Sequence, residues 1–319
     1  MKVSTIELSQ NIQPSFRSAA KAKEFLITAE VSPPKGGNSD RLVQMALTLK
    51  NRVHAINLTD GSRAVLRMSP LAASAILLEQ GIEPICQMVC RDRNRIALQA
   101  DLMGANALGI RNILALTGDP VKVGDCPRAR GVFDLESVRL LQTIERLNRG
   151  YDGNDRRLSD GATDLFAGAA VDPQSSSWSG LQQRFERKLA AGAEFFQSQA
   201  VFDFDRLEKF MQVATPFGKP ILAGIFLLKS AKNARFLNRC VPGVKIPETT
   251  IARLEQASEP LLEGMLIAAE QVQLARQLCQ GVHLMAVKRE ELIPQILDLA
   301  GVPTLSKSVS KPQSTLAQF

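Results

Sequence analysis

The chain has little of what would tie it to a membrane, an oxidising compartment or a nucleic acid. No uninterrupted apolar stretch approaches the roughly 18 residues a spanning helix needs. Met1 to Phe25 show no basic segment followed by an apolar one, so neither a span nor a leader is expected and the expected location is the cytoplasm. The five cysteines, Cys86, Cys90, Cys126, Cys240 and Cys279, are odd in number and scattered, which argues against a disulfide framework. Cys86 and Cys90 could share a strand face as ligands, but the only histidines, His54 and His283, lie far from them in sequence, and no metal centre is expected. Aromatic residues make up 5% of the chain and are not interleaved with the dispersed Lys and Arg, a poor composition for gripping nucleic acid. The net charge of +7 suits a phosphate-bearing cofactor or polyanionic substrate, or else only a solvated basic surface. A Gly-x-Gly-x-x-Gly turn is also missing after the first apolar run, which weakens an open dinucleotide-binding sheet.

What the chain does have is alternation. Apolar strand-like runs cover Phe25 to Val31, His54 to Asp60, Glu83 to Cys90, Arg111 to Thr117, Phe166 to Val171, Glu194 to Val201, Ile221 to Leu228 and Val282 to Val287. Helical spacing follows each: behind Ser39, from Ser69-Pro70 as cap and first-turn proline, then Asn94 to Leu108, Asp134 to Leu147, Leu181 to Ala191, Asp205 to Val213, Ser230 to Leu237 and Glu290 to Leu299. Eight strand–helix pairs predict an α/β fold, a closed (β/α)8 TIM barrel with extra helices inserted before the eighth strand, within Pro247 to Gln280. Tyr151 to Ala162, rich in Gly, Asp and Arg, reads as an exposed loop. Residues 1–301 form the single expected domain. The stretch 302–319, polar from Ser306 onward, reads as a disordered tail.

In such a barrel, active groups come from strand C-termini and the loops after them. Glu30 is a carboxyl inside an otherwise apolar strand, where ionisation is costly and a general acid can be held ready. The alternative is a buried Glu paired with Arg63 or Lys288. Asp119 leaves the fourth strand between Gly118, which permits close backbone approach, and Pro120, which stiffens the exit. It either projects into the mouth or bonds only its own turn. Gln199 offers an amide that could pair with a heterocycle.

Ala29-Glu30-Val31-Ser32-Pro33-Pro34-Lys35-Gly36, Leu58-Thr59-Asp60, Cys90-Arg91-Asp92-Arg93-Asn94, Leu116-Thr117-Gly118-Asp119-Pro120 and Ala191-Gly192-Ala193-Glu194-Phe195-Phe196-Gln197-Ser198-Gln199 resemble the methylenetetrahydrofolate reductase family in order and spacing, over about Phe25 to Gly301. The resemblance implies a flavoprotein oxidoreductase of one-carbon metabolism and methionine biosynthesis. Its barrel would bind FAD and reduce 5,10-methylenetetrahydrofolate to 5-methyltetrahydrofolate in two half-reactions at one site. Carried over by position, Glu30 is the general acid for opening the folate ring, and Asp119 is the carboxylate between folate and flavin. Gln199 contacts folate and nicotinamide in turn, and Arg289 contacts folate. Thr59, Asp60, Ser62, Gln87, Thr117, Gly118, Asp119, Arg187 and Lys188 hold the flavin. Without the resemblance, Arg187 and Lys188 read as a solvated helix face.

Two positions depart from the family pattern: Gln87 stands where many relatives carry His, and Val171 where some carry a flavin-stacking Tyr. The donor is left open among NADH, NADPH and an electron-donor partner protein, and barrels of this family often form homo-oligomers. The length gives no sign of the long C-terminal regulatory domain of eukaryotic members, so control by an S-adenosyl metabolite is not expected. Rival readings are a folate-binding or assembly subunit without turnover, and a pterin-binding barrel of the methyltransferase type, which would leave Thr59 and Lys188 without a role.

Overall fold

Eight parallel strands, β1 (Leu26–Val31), β2 (Ala55–Leu58), β3 (Pro84–Val89), β4 (Asn112–Leu116), β5 (Phe166–Val171), β6 (Phe195–Ala200), β7 (Ile221–Phe226) and β8 (Gly281–Met285), pair in sequence order and close by β8 on β1. The computed structural model describes residues 15–241 and 243–305. The expected tail from Ser306 and the first 14 residues lie outside the described residues. Val302 is buried and the Leu305 N–H donates to Asn51 O at 2.9 Å, so the barrel unit reaches past the expected boundary at Gly301. Among the described residues no helix is long and apolar enough to cross a membrane.

The helices are α1 (Phe16–Lys21), α2 (Asp40–Leu49), α3 (Pro70–Glu79), α4 (Arg95–Ala107), α5 (Ser137–Asn148), α6 (Trp178–Ala190), α7 (Phe204–Ala214), α8 (Ala231–Cys240), α9 (Glu248–Gln256), α10 (Pro260–Leu278) and α11 (Ile293–Leu299). Their starts follow local chemistry. Asn94 accepts from the Ile96 and Ala97 N–H groups, and Asp203 accepts from Arg206 N–H. Pro70 opens α3 as expected, but Ser69 makes no side-chain capping bond.

The seventh helix of the ring is not the one expected. Ser230 to Leu237 falls within α8, which packs on α9, whereas α10 packs on β7, β8, α7 and α11. The insertion therefore precedes the ring helix: α8 and α9 lie outside it, over a satellite core containing Phe202, Leu228, Ile246 and Ile251. Gly264 makes the close seat of α10 attainable, since a Cβ there would lie 1.7 Å from Leu228 O.

Side chains alternate along each strand, so every second residue points into the barrel. At the N-terminal end these are apolar: Leu26, Ile85, Leu114, Phe166, Phe195 and Leu222 cluster with Phe16 and Ala19 of α1. Phe166 and Phe195 stack at 5.3 Å, and Phe16 meets Phe195 edge-on at 5.1 Å. Gly168 leaves the room for this; a Cβ there would stand 2.1 Å from the Phe195 ring. Glu83 fastens α1 over the end by accepting from Phe16 N–H at 2.8 Å and Asn112 Nδ2 at 2.7 Å. Two residues further along the strands the interior turns polar, and that change of layer makes the floor of the site.

Candidate active site

The polar layer consists of Thr28, Asn57, Gln197 and His283, all buried. Asn57 Nδ2 donates to Gln197 Oε1 at 2.6 Å, and Gln197 Nε2 donates back to Asn57 Oδ1 at 3.0 Å and to Thr28 Oγ1 at 3.1 Å. Thr28 Oγ1 lies 3.0 Å from His283 Nδ1. Each group is satisfied across the barrel, which removes the penalty of burying it. None of the four was singled out from sequence. Their signal is polarity at every second position: Thr28 before Glu30, Asn57 before Thr59, Gln197 before Gln199.

Glu30 stands above this floor with its side chain 24% exposed. Its Oε2 accepts from Gln87 Nε2 at 3.4 Å and lies 3.7 Å from His283 Nε2. The expected partners Arg63 and Lys288 are not the ones that reach it. Lys288 sits in the loop after β8, where its own N–H donates to Glu290 at 3.0 Å.

Arg63 instead serves Asp119, whose Oδ2 accepts the Arg63 backbone N–H at 2.8 Å. That bond joins the loops after β2 and β4 and overturns the alternative in which Asp119 bonds only its own turn. Gly61, Arg63 and Ala64 all hold positive φ near +55°, a conformation unfavourable for the two non-glycine residues and sustained by neighbours. One neighbour is Gly124, where a Cβ would lie 1.9 Å from Ala64 O. Another is Asp125, which pairs with Lys35 and accepts Leu66 N–H at 2.9 Å; the Lys35 bond and then the Leu66 N–H hold its carboxyl below the usual range. Gly118, at φ +92°, lets the chain turn where a Cβ would press within 3.0 Å of Val89 and 3.1 Å of Arg91.

The other expected flavin contacts divide. Thr59 is buried with Oγ1 3.3 Å from Ser32 Oγ. Ser62 is exposed in a short 3-10 turn, Gln87 lines the interior beside Glu30, and Thr117 is exposed while accepting Ser137 N–H at 3.2 Å. Asp60 is a brace: it is buried and accepts from Val89 N–H at 2.9 Å and Arg93 Nη1 at 2.7 Å. Arg187 and Lys188 do not act as a pair, because consecutive helix residues diverge by about 100°. Arg187 is exposed, whereas Lys188 turns inward and its Nζ donates to Ala170 O at 2.6 Å. Burial, then the Arg184 charge, brings the Lys188 ammonium down to about 8. Gln199 is exposed at the end of β6, and half-buried Arg289 after β8 pairs with Glu291 at 2.7 Å. Cys86 and Cys90 are buried, and burial pushes each thiol up to about 12.

Above this mid-strand floor, Glu30 and the loops after β2 and β4 lie toward the C-terminal ends of the strands, which defines an enzyme-type (β/α)8 barrel with an acid–amide site in its mouth. The chain belongs to the methylenetetrahydrofolate reductase family, whose model matches residues 15–301. It is 26% identical over 246 residues to the probable methylenetetrahydrofolate reductase (NADPH) of Caenorhabditis elegans, covering 75% of this chain and 35% of that one, so it spans about a third of that relative's length. Among solved structures it is similar to EDTA monooxygenase from Chelativorans sp. BNC1, with a TM-score of 0.52, 12% identity, and 90% and 96% of the two chains covered. It is also similar to tryptophan synthase from M. tuberculosis, with a TM-score of 0.51, 11% identity, and 93% and 100% covered. At these identities the two structures show the barrel fold alone.

Proposed function

We propose that the chain reduces 5,10-methylenetetrahydrofolate to 5-methyltetrahydrofolate, with FAD as bound cofactor and NADH or NADPH as donor. Family membership supports the substrate. The observation that carries the mechanism is the partly buried Glu30 carboxyl on a buried polar floor, touched by Gln87 and His283.

The residues present suit a flavin nucleotide. Lys188 is a half-buried ammonium bonded to a neutral carbonyl, with no carboxylate at ion-pair distance among the described residues; a phosphate would offset that charge. Thr59, Ser62, Thr117 and the Gln87 amide supply donors and acceptors for the sugar alcohol and ring edge, and Gly118 allows close approach. FAD, when bound, supplies a two-electron carrier that takes hydride from the nicotinamide and passes it to the folate methylene carbon.

Glu30 handles the proton. As the five-membered folate ring opens, the C–N electron pair passes to the departing nitrogen, the Glu30 O–H bond breaks and an N–H bond forms. A cationic iminium is left at the methylene carbon and a carboxylate at Glu30. Asp119, fixed by Arg63 N–H, supplies negative charge at the rim where that cation develops. Gln199 and Arg289 border the same mouth and contact the folate.

Anaerobic stopped-flow of the FAD-loaded protein tests this reading. Bleaching by NADH or NADPH followed by recovery on adding methylenetetrahydrofolate is expected. Protein that binds folate but takes up no FAD would overturn it in favour of a folate-binding subunit.

A further inference from the structure

We infer that His283 is a positioning residue for Glu30: the buried amide pair beneath it fixes its tautomer so that an Nε2–H bond is aimed at the carboxyl. This rests on the reductase reading and adds to it a device for stabilising the carboxylate that ring opening creates.

The tautomer follows from counting protons. Both hydrogens of the Gln197 amide are used, one on Asn57 Oδ1 at 3.0 Å and one on Thr28 Oγ1 at 3.1 Å, while Gln197 Oε1 accepts from Asn57 at 2.6 Å. The Thr28 oxygen is therefore an acceptor on one side and has a single proton to give. Its nearer acceptor is His283 Nδ1 at 3.0 Å; Val282 O is at 3.5 Å. With Nδ1 accepting, the imidazole proton resides on Nε2, which faces Glu30 Oε2 at 3.7 Å. The order runs Asn57, Gln197, Thr28, His283, Glu30, through β2, β6, β1, β8 and back to β1.

The elements around this pair bring Thr28 from β1, Gln87 from β3 and Gln197 from β6. Among these contacting side chains Glu30 and His283 are the ionisable types, and the others are amides and a hydroxyl. The Nε2–Oε2 separation of 3.7 Å is longer than a hydrogen bond and leaves room for the contact to tighten. Once the proton has moved to the folate nitrogen, the carboxylate draws the Nε2–H and Gln87 N–H bonds tight, as catalytic bonds do when charge develops. His283 thus favours ring opening without touching the substrate.

The test compares His283→Leu, His283→Gln and Thr28→Val in FAD-loaded protein, following donor-driven bleaching and folate-driven recovery separately. His283→Leu is expected to slow recovery about tenfold to a hundredfold, the worth of one hydrogen bond to a charged group, with FAD content and bleaching rate within about twofold of the parent. His283→Gln, whose amide N–H reaches the Nε2 position, should restore recovery to within about fivefold. Thr28→Val, which releases the tautomer but keeps the shape, should slow recovery alone by a few-fold, on the order of one neutral hydrogen bond. Equal recovery in parent and Leu variant overturns the inference, as do parallel losses in both half-reactions or a Gln variant no better than Leu. Should the Leu variant not fold, unchanged recovery in Thr28→Val overturns it. A parent that fails in both half-reactions overturns the reductase reading first, and this inference with it.

Discussion

Among single residues, the proposed reaction places the folate chemistry on Glu30, and Lys188 carries the strain. Glu30→Gln keeps the size and the hydrogen bonding to Gln87 but has no proton to give, so methyl formation should fall by at least about a hundredfold while bleaching by the donor persists. Stopped-flow traces showing equal loss of both steps would remove Glu30 as the acid. Lys188 makes a prediction with a sign. Folding lowers its pKa from 10.5 to about 8, so between those values the unfolded chain binds the extra proton and stability rises with pH. The benefit of the lowered value is complete above 10.5 and lost as pH falls through about 8. Below that, the charged side chain costs up to about 3 kcal/mol. Lys188→Met should therefore exceed the parent in urea-unfolding stability at pH 7 by about 1–3 kcal/mol, a margin that shrinks toward pH 10.5, and should bind FAD more weakly. Unchanged FAD affinity would take Lys188 out of the phosphate site. The two residues also show what was legible. Glu30 stood out because a lone carboxyl interrupts an apolar run, whereas Thr28, Asn57, Gln197 and His283 matter only through partners across the barrel, up to 255 residues away in sequence. Arg187 beside Lys188 could be separated from it only once the facing of α6 was fixed.

Elements were legible wherever one period dominated. The strands begin and end within a few residues of the expected bounds because their interiors are apolar and their exits carry Pro, Gly or Asp. The ring helix after β7 was misassigned because α8 is the first amphipathic run after that strand. The informative difference was in the packing residues: α10 buries Gly264, Ala268, Ala269 and Ala275, small side chains that let a helix approach a sheet closely. α8 buries Ala231 and Ala234, leans Leu237 on the satellite core and is otherwise polar or exposed. Gly264→Ala should accordingly cost more than about 3 kcal/mol, since the new Cβ meets backbone rather than a movable side chain. Arg235→Ala on α8, where the guanidinium is half exposed and pairs with Glu255, should cost no more than about 1 kcal/mol. Chemical denaturation of both variants checks the contrast, and equal losses would mean that α8 bears on the barrel as directly as α10.

Across the whole molecule the barrel interior divides into an apolar plug, a polar floor and a charged mouth, so stability and chemistry are assigned to opposite ends. The closed barrel was legible from eight alternations, but α1, which seals the plug, was not: six residues are too few to show a helical period, and Phe16 looks like one more exposed aromatic until Phe166, Phe195 and Glu83 surround it. Phe16→Ala isolates the division. The ring is fully buried, so its removal should cost about 3–5 kcal/mol, read as a lower urea midpoint. The Phe16 N–H bond to Glu83 can persist, because it belongs to the backbone. The mouth depends on the loops after β1, β2 and β4 and on the amide layer, none of which the ring touches. Single-turnover bleaching and recovery in the folded fraction should therefore match the parent within about twofold, a shift of less than 0.5 kcal/mol in barrier, roughly the scale of additivity for distant sites. A recovery rate that dropped as far as in Glu30→Gln would show that the plug sets the geometry of the acid, and the separation of a stabilising end from a reacting end would have to be given up.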